Sequence, residues 1–236
     1  MKKSLKVSLG VLVFLFAFAA TTASAVGMNG SFESGAPAGG FITLFATNNT
    51  DITNWTVDGG SVDYIGGYWA AIDGTHSIDM NGFAAGSVSQ VLTTIPGAKY
   101  DVSFYMSGNP DSRSDVNDPY YSPSNKVLRV NNTGGVFQDF NFDPSLKQNS
   151  YQNMMWEPHT YSFTATGTST TLTFSSQIPG AFGPALDNVS ITETLPPALT
   201  NKDQCKDNGW KTFTNPSFKN QGECVSFVQA NPKAGK

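Results

Sequence analysis

Strict two-residue alternation between Tyr100 and Ser107 limits the choice of fold more than any other pattern in the chain. Apolar side chains occupy every second position of this run, and polar or small ones occupy most of the others. Side chains alternate across a β-strand, so the run predicts a strand with one face in an apolar core. Similar short runs recur between turn-forming pairs such as Asp73-Gly74 and Asn81-Gly82, and no segment has a sustained helical period. The sequence therefore predicts an all-β fold, a β-sandwich of the jelly-roll kind.

The first 25 of the 236 residues have the pattern of a secretory signal peptide. Basic residues at Lys2, Lys3 and Lys6 precede the apolar run 9–20, and Ala23-Ser24-Ala25 is a small-x-small cleavage site. The apolar run is short for a membrane span, and no later stretch approaches one. We therefore expect cleavage after Ala25 and a mature chain that is secreted or held at the cell surface, without a transmembrane segment.

Composition divides the rest of the chain into a large domain, a linker and a small tail. Residues 26–194 carry the alternating runs, and Leu195-Pro196-Pro197 begins a stiff linker that ends at residue 199. Residues 200–236 are rich in Asn and Lys and contain the two cysteines of the chain, Cys205 and Cys224. An even pair of cysteines in an exported protein predicts a disulfide, which would hold this small tail together.

The charge of the large domain excludes one class of partner. Residues 26–194 contain 15 acidic and 5 basic residues, a net charge of −10, whereas the tail carries 6 Lys and 3 acidic residues. Nucleic acids require a basic face, so we expect no nucleic-acid partner. The acidic balance also disfavours a purely electrostatic grip on acidic polysaccharides.

Aromatic side chains are the candidate ligand contacts. Aromatic faces stack on sugar rings while their polar edges bond to hydroxyls. Tyr120 and Tyr121 stand out because they lie in the polar, Pro-containing loop 109–125, where burial is not expected. Tyr68, Trp69 and Trp156 are the other candidates, and the alternative for each aromatic residue is a place in the core.

The stretch from Gly183 to Ile191 predicts a final strand with a carboxylate in an unusual place. Alternation would put Asp187 on one face with Val189 and Ile191, where an unpaired charge is costly. Such a carboxylate needs a cation, an Arg or a set of N–H donors. Asn29-Gly30-Ser31-Phe32-Glu33 also places an acid beside an apolar residue. We interpret the two stretches as the first and last strands of one domain, meeting at an oxygen-lined site.

Several stretches together resemble the DUF642 group and, more closely, its bacterial relatives, the choice-of-anchor C family. They are Asn29-Gly30-Ser31-Phe32-Glu33, Gly60-Ser61-Val62-Asp63-Tyr64-Ile65, Asp73-Gly74, Ser77-Ile78-Asp79-Met80-Asn81-Gly82 and Gly183-Pro184-Ala185-Leu186-Asp187-Asn188-Val189. The resemblance covers about residues 28–192 and implies a galactose-binding-like jelly roll. Plant members are cell-wall proteins associated with polysaccharides, and the family supplies no catalytic residues to carry over.

The resemblance also implies a metal. Galactose-binding-like domains often hold a structural calcium between their first and last strands, and Glu33 and Asp187 match that arrangement, with backbone carbonyls completing the ligands. The alternative is that both acids accept hydrogen bonds from backbone N–H groups. Asp79 is a possible third ligand, although we expect it to face solvent.

These observations favour a secreted, non-catalytic protein that binds cell-wall or matrix polysaccharide. The alternative is a structural or adhesive surface protein that binds a protein partner through its basic tail. A glycoside hydrolase is less favoured: the sequence has only two His and no Gly-x-Ser-x-Gly or His-Glu-x-x-His motif. Acidic pairs such as Asp73 and Glu157 leave that class open.

Overall fold

A computed structural model describes residues 24–25, 27–36, 38–46, 51–111, 115, 117–118, 123–135, 137–194, 199–213 and 216–230. The predicted signal peptide lies outside this part of the chain except for Ser24 and Ala25. The predicted linker also lies outside it except for Leu199. Two of the predicted sugar contacts, Tyr120 and Tyr121, are not among the described residues either.

The large domain consists of two antiparallel sheets. Its strands are β1 (Ser24–Ala25), β2 (Phe41–Phe45), β3 (Thr56–Gly59), β4 (Ser61–Ile65), β5 (Ser77–Asp79), β6 (Ser87–Thr93), β7 (Lys99–Gly108), β8 (Lys126–Asn132), β9 (Phe137–Phe142), β10 (Glu157–Thr164), β11 (Ser169–Ser176) and β12 (Pro184–Thr194), with a short helix, α1 (Pro144–Lys147), after β9. The seven-stranded sheet has the order β10-β7-β12-β5-β4-β2, with β1 paired to β12. The five-stranded sheet has the order β3-β6-β11-β8-β9. The predicted all-β sandwich is confirmed.

The main apolar core lies between the two sheets. The inward face of β7 consists of Tyr100, Val102, Phe104 and Met106, all of which are buried as the alternation predicted. Phe104 packs edge-on against Phe174 of β11, with ring centroids 5.3 Å apart. Burial of large side chains from both sheets supplies the main driving force for folding.

A bulge in β12 reverses the expected face of its carboxylate. The pairing with β7 shifts between Asp187 and Ser190, and Asn188 has a φ of 49°. Leu186 and Val189 therefore both point into the main core. Asp187 lies opposite Tyr105 on the other face of the sheet, away from that core. The expectation that Asp187 shares a face with Val189 and Ile191 is wrong, because one extra residue resets the alternation.

The N-terminal stretch meets β12, but it is not a strand. Residues 29–33 form a turn in which Phe32 has a φ of 59° and is buried. The carbonyl of Gly30 accepts a hydrogen bond of 2.8 Å from the N–H of Val189. A Cβ on Gly30 would lie 1.7 Å from the carbonyl oxygen of Val189, so only glycine allows this approach. The prediction of a first strand here is wrong, but the predicted meeting of the two stretches is confirmed.

The C-terminal tail has a small core of its own. Two 3-10 helices, Lys202–Cys205 and Gly209–Thr212, precede the helix α2 (Gln221–Ala230). Leu199, Phe213 and Phe218 are buried around the Cys205–Cys224 disulfide, which confirms the predicted pairing. The sequence analysis did not predict α2. This helix has only 10 residues, and Cys224 is its buried residue. No helix in the described ranges is long and apolar enough to cross a membrane.

Candidate functional site

Two loops cover the outer face of the seven-stranded sheet and form a second, smaller core. Ile65 of β4 and Ala185 of β12 point away from the main core and are covered by Trp69 and Met154. Trp69 is only 4% exposed, and its Nε1 donates to Ser77 Oγ at 2.8 Å. Trp69 is therefore a core residue, the alternative left open for each aromatic side chain. Its ring faces are not accessible to a ligand.

Tyr68, the residue before Trp69, has the opposite environment. Its side chain is 38% exposed, and its hydroxyl donates to Asp111 Oδ2 at 2.7 Å. The hydroxyl of Tyr151 donates to the other oxygen, Asp111 Oδ1, and the two tyrosine rings lie edge-on at 5.3 Å. The hydrogen bond to Asp111 raises the pKa of both tyrosines above the usual value, so both remain proton donors near neutral pH.

A second exposed ring extends this group. Phe41, the first residue of β2, packs edge-on against Tyr68 at 5.2 Å and is 46% exposed. The accessible rings of Phe41 and Tyr68 therefore lie beside the carboxylate of Asp111. That carboxylate accepts hydrogen bonds from the hydroxyls of Tyr68 and Tyr151. The group consists of Phe41, Tyr68, Tyr151 and Asp111. We call these four residues the tyrosine–aspartate site. An aromatic face next to polar groups is the chemistry that accommodates a sugar ring.

Trp156 borders the site. Its ring is half-buried against the smaller core, and its Nε1 donates to the carbonyl of Ala70 at 3.0 Å. The neighbouring Met155 is exposed and has a φ of 54°. Trp156 keeps a partly accessible surface, so it remains a candidate contact at the edge of the site.

A buried acid holds Asp111 in place. Asp79 is completely buried on the outer face of β5, where Oδ2 accepts a hydrogen bond of 2.7 Å from Asn109 Nδ2. Asn109 Oδ1 in turn accepts a bond of 2.8 Å from the N–H of Asp111. Asp79 Oδ1 accepts from the N–H groups of Asn81 and Gly183. The expectation that Asp79 faces solvent is therefore wrong, because loops from three parts of the chain cover it.

Glu33 and Asp187 hold two ends of one loop, residues 72–76. Glu33 Oε1 accepts from the N–H groups of Thr75 at 2.8 Å and His76 at 2.7 Å. Asp187 Oδ2 accepts from the N–H groups of Ile72 at 2.9 Å and Asp73 at 3.2 Å. Asp187 Oδ1 accepts from its neighbour Asn188 at 2.6 Å. Both acids thus bind backbone N–H groups of the same loop, at its two ends.

The environments of these two acids differ. Asp187 is completely buried, and burial raises its pKa to about 7. Glu33 is partly exposed, and desolvation acts to raise its pKa. The backbone and side-chain hydrogen bonds from His76 and Thr75 together outweigh that effect, so the pKa of Glu33 lies below its ordinary value.

Hydrogen bonds from the protein account for both acids. Calcium needs six to eight oxygen ligands, so a shared ion would require several oxygens besides these two carboxylates. Both oxygens of Glu33 and both of Asp187 already accept hydrogen bonds. Within the described ranges, no three His, Cys, Asp or Glu side chains group closely enough to hold a metal. N–H groups donate to both acids, which is the alternative left open above. Calcium itself stays a prediction that only a binding measurement tests.

Comparison with known proteins gives the family. A model described as "Protein of unknown function (DUF642)" matches residues 27–192, which include Glu33, Tyr68, Asp111 and Asp187. The chain belongs to the DUF642 family. The matched range of this DUF642 chain ends within β12, and the disulfide-closed tail lies beyond it.

A curated relative and two solved structures show further similarity. The DUF642 chain is 33% identical over 179 residues to halomucin of Haloquadratum walsbyi, a match that covers 73% of this chain and 2% of halomucin. The CBM22-1 xylan-binding domain of Xyn10C from Paenibacillus barcinonensis is 18% identical, with a TM-score of 0.42, covering 67% of this chain and 97% of that domain. The CBM35 structure from the same organism is 16% identical, with a TM-score of 0.40, covering 65% and 98%.

The sequence reading of this DUF642 domain missed the residues that complete the site. Asp111 and Tyr151 lie in polar loops, and their meeting with Tyr68 depends on packing over the sheet. Asn109 was the available signal, since an Asn side chain often accepts a hydrogen bond from the backbone N–H two residues later, here that of Asp111. Nothing in the local sequence identifies their partners.

Proposed function

We propose that this chain is a secreted, non-catalytic carbohydrate-binding protein that uses the tyrosine–aspartate site. The observation that carries the proposal is Tyr68, a 38% exposed ring whose hydroxyl bonds to Asp111 beside the exposed ring of Phe41. A ring held by a fixed hydrogen bond loses little conformational freedom on binding. Asp111 can accept further hydrogen bonds from sugar hydroxyls, because each of its oxygens has two lone pairs.

The charge of the domain indicates a neutral glycan. Residues 26–194 carry 15 acidic and 5 basic residues, and the site itself contains a carboxylate. A uronic-acid polymer would meet repulsion there, whereas a neutral polymer would not. The predicted export signal supports the proposal, because cell-wall and matrix polysaccharides lie outside the cell.

Retention on polysaccharides tests the proposal. Purified chain is mixed with xylan, β-1,4-galactan, cellulose and pectin, once with calcium and once with chelator. We expect retention by at least one neutral polymer, and Tyr68→Ala should weaken it about tenfold, or roughly 1.4 kcal/mol.

Phe137→Ala is the matched control, because Phe137 is 56% exposed on β9 of the other sheet. If the chain binds no polymer, or if Tyr68→Ala and Phe137→Ala behave alike, the site proposed here is wrong. Retention that requires calcium would support the metal prediction.

A further inference from the structure

The strand β2 presents exposed rings at both ends of its outer face. Phe41 and Phe45 are 46% and 48% exposed, whereas Ile42 and Leu44 pack toward the main core. Because side chains alternate, Phe41, Thr43 and Phe45 share the outer face. Four residues of antiparallel strand span about 13 Å, so the two phenyl rings mark the ends of an extended surface.

Each of these rings has an exposed partner from a loop. Tyr68 packs against Phe41 with ring centroids 5.2 Å apart. Phe83, which is 67% exposed, stacks on Phe45 at 6.0 Å with an interplanar angle of 18°. The N–H of Phe83 donates to Ser61 Oγ at 2.8 Å, which fixes the loop beside β4. We call Phe41, Phe45, Tyr68 and Phe83 the β2 aromatic strip.

The centre of the strip is polar. Thr43 lies between the two phenylalanines, and its hydroxyl donates to Asp63 Oδ1 at 2.6 Å across the strand pair. Both side chains are partly exposed. A glycan presents apolar ring faces that alternate with hydroxyl edges. Polar groups between two aromatic surfaces are complementary to that pattern.

The free edge of β2 adds backbone groups to this surface. β2 ends the order of the seven-stranded sheet, and in the described part of the chain its only strand partner is β4. An edge strand leaves N–H and C=O groups unpaired along one side. These groups can bond to hydroxyls of a ligand that runs parallel to the strand.

We propose that the β2 aromatic strip binds a linear neutral glycan lengthwise, with one end of the glycan in the tyrosine–aspartate site. The inference rests on the proposed function and specifies its ligand as an extended chain instead of a single terminal sugar. Two observations favour a glycan over a peptide. The strip is continuous with the tyrosine–aspartate site through Phe41 and Tyr68, and its rings are separated by a hydroxyl and a carboxylate.

Dependence of affinity on chain length tests the inference. The probes are xylan, β-1,4-galactan and cellulose, each as a trisaccharide and as longer soluble oligosaccharides, titrated calorimetrically. The wild-type chain should bind the long form of its preferred glycan about tenfold more tightly than the trisaccharide. The double variant Phe45→Ala/Phe83→Ala should lose this gain and keep the affinity for the trisaccharide. Tyr68→Ala should weaken binding of both forms.

Controls separate the possible outcomes. Phe137→Ala should leave both affinities unchanged, and the melting temperature of the double variant should stay near that of the wild type because both rings are exposed. Trisaccharide binding with no gain from length, or a gain that survives the double variant, overturns the strip and leaves the proposed function standing. Binding of none of the probes overturns both. Self-association that the double variant abolishes, without any change in glycan affinity, would assign the strip to a protein contact instead.

Discussion

The two buried carboxyls should make the stability of the domain depend on pH. Burial raises the pKa of Asp79 and of Asp187 to about 7. A carboxyl whose pKa is higher in the folded state stabilises the protein fully below its unfolded pKa, and that contribution is lost as pH rises through about 7. Lys126, whose pKa burial lowers to about 8, titrates above this range.

We therefore expect the free energy of unfolding to fall between about pH 5 and pH 7.5, measured by urea denaturation. Asp79→Asn should flatten the slope, because it removes one titrating group and retains the shape. Glu33, with its lowered pKa, contributes only on the acid side of this window. A free energy that instead rises across the window would mean that the N–H donors keep both acids ionised.

The side chain of Asp187 shows what local sequence does and does not contain. Its position in a strand was predicted correctly, as was its need for a partner. Its face was predicted wrongly because Asn188 adopts a φ of 49° in a bulge. Asn tolerates this region better than most residues, so Asp187-Asn188 offered a hint. The partners Ile72 and Asp73 lie more than 100 residues away in sequence, and no local pattern can specify them.

At the scale of elements, the loop 72–76 should depend on one glycine. Gly74 has a φ of +69°, and a Cβ there would lie 2.3 Å from Glu33 Cδ. Gly74→Ala should cost more than the roughly 1 kcal/mol of backbone strain, because the carboxylate must also move away from Thr75 and His76. Urea unfolding measures the difference.

Gly39→Ala is the matched control for this change. Gly39 has a similar φ of +59°, but no atom lies within 4 Å of its Cβ position. The difference between the two variants reports the contact with Glu33. Equal losses of stability would show that Glu33 does not hold the loop.

Strands were more predictable than the loops that carry the site. β7 follows a two-residue period, so its core face could be assigned from the sequence. Tyr68 and Trp69 are neighbours in an irregular segment, where no period separates an exposed ring from a buried one. The loops cover the sheet through contacts distant in sequence, such as the bond from Ala70 to Tyr151. The site could therefore be anticipated only by residue type.

At the scale of the whole molecule, the tail and the sandwich have separate apolar clusters. Among the described residues of the tail, five buried ones form its core, and two of them are the bonded cysteines. A disulfide that joins residues 19 apart contributes about 3 kcal/mol by restricting the unfolded chain. A core this small depends on such a crosslink.

The double variant Cys205→Ser/Cys224→Ser should therefore lose the structure of the tail while the sandwich remains folded. Limited proteolysis followed by mass spectrometry should show rapid cleavage beyond residue 199 and a stable fragment that includes β2 to β12. Glycan retention should survive. Loss of the sandwich in the same variant would mean that the two parts fold as one unit.

The position of β12 determines when the domain can form as the chain is made. β12 lies between β7 and β5, and the pairings β12–β7 and β12–β5 join the two halves of the seven-stranded sheet. Until residues 184–194 have been synthesised, β10 and β7 have no connection through the sheet to β5, β4 and β2. Folding of the sandwich therefore waits for almost the entire domain to leave the ribosome. Its central pairings join residues far apart in sequence, and pairings of that kind form slowly.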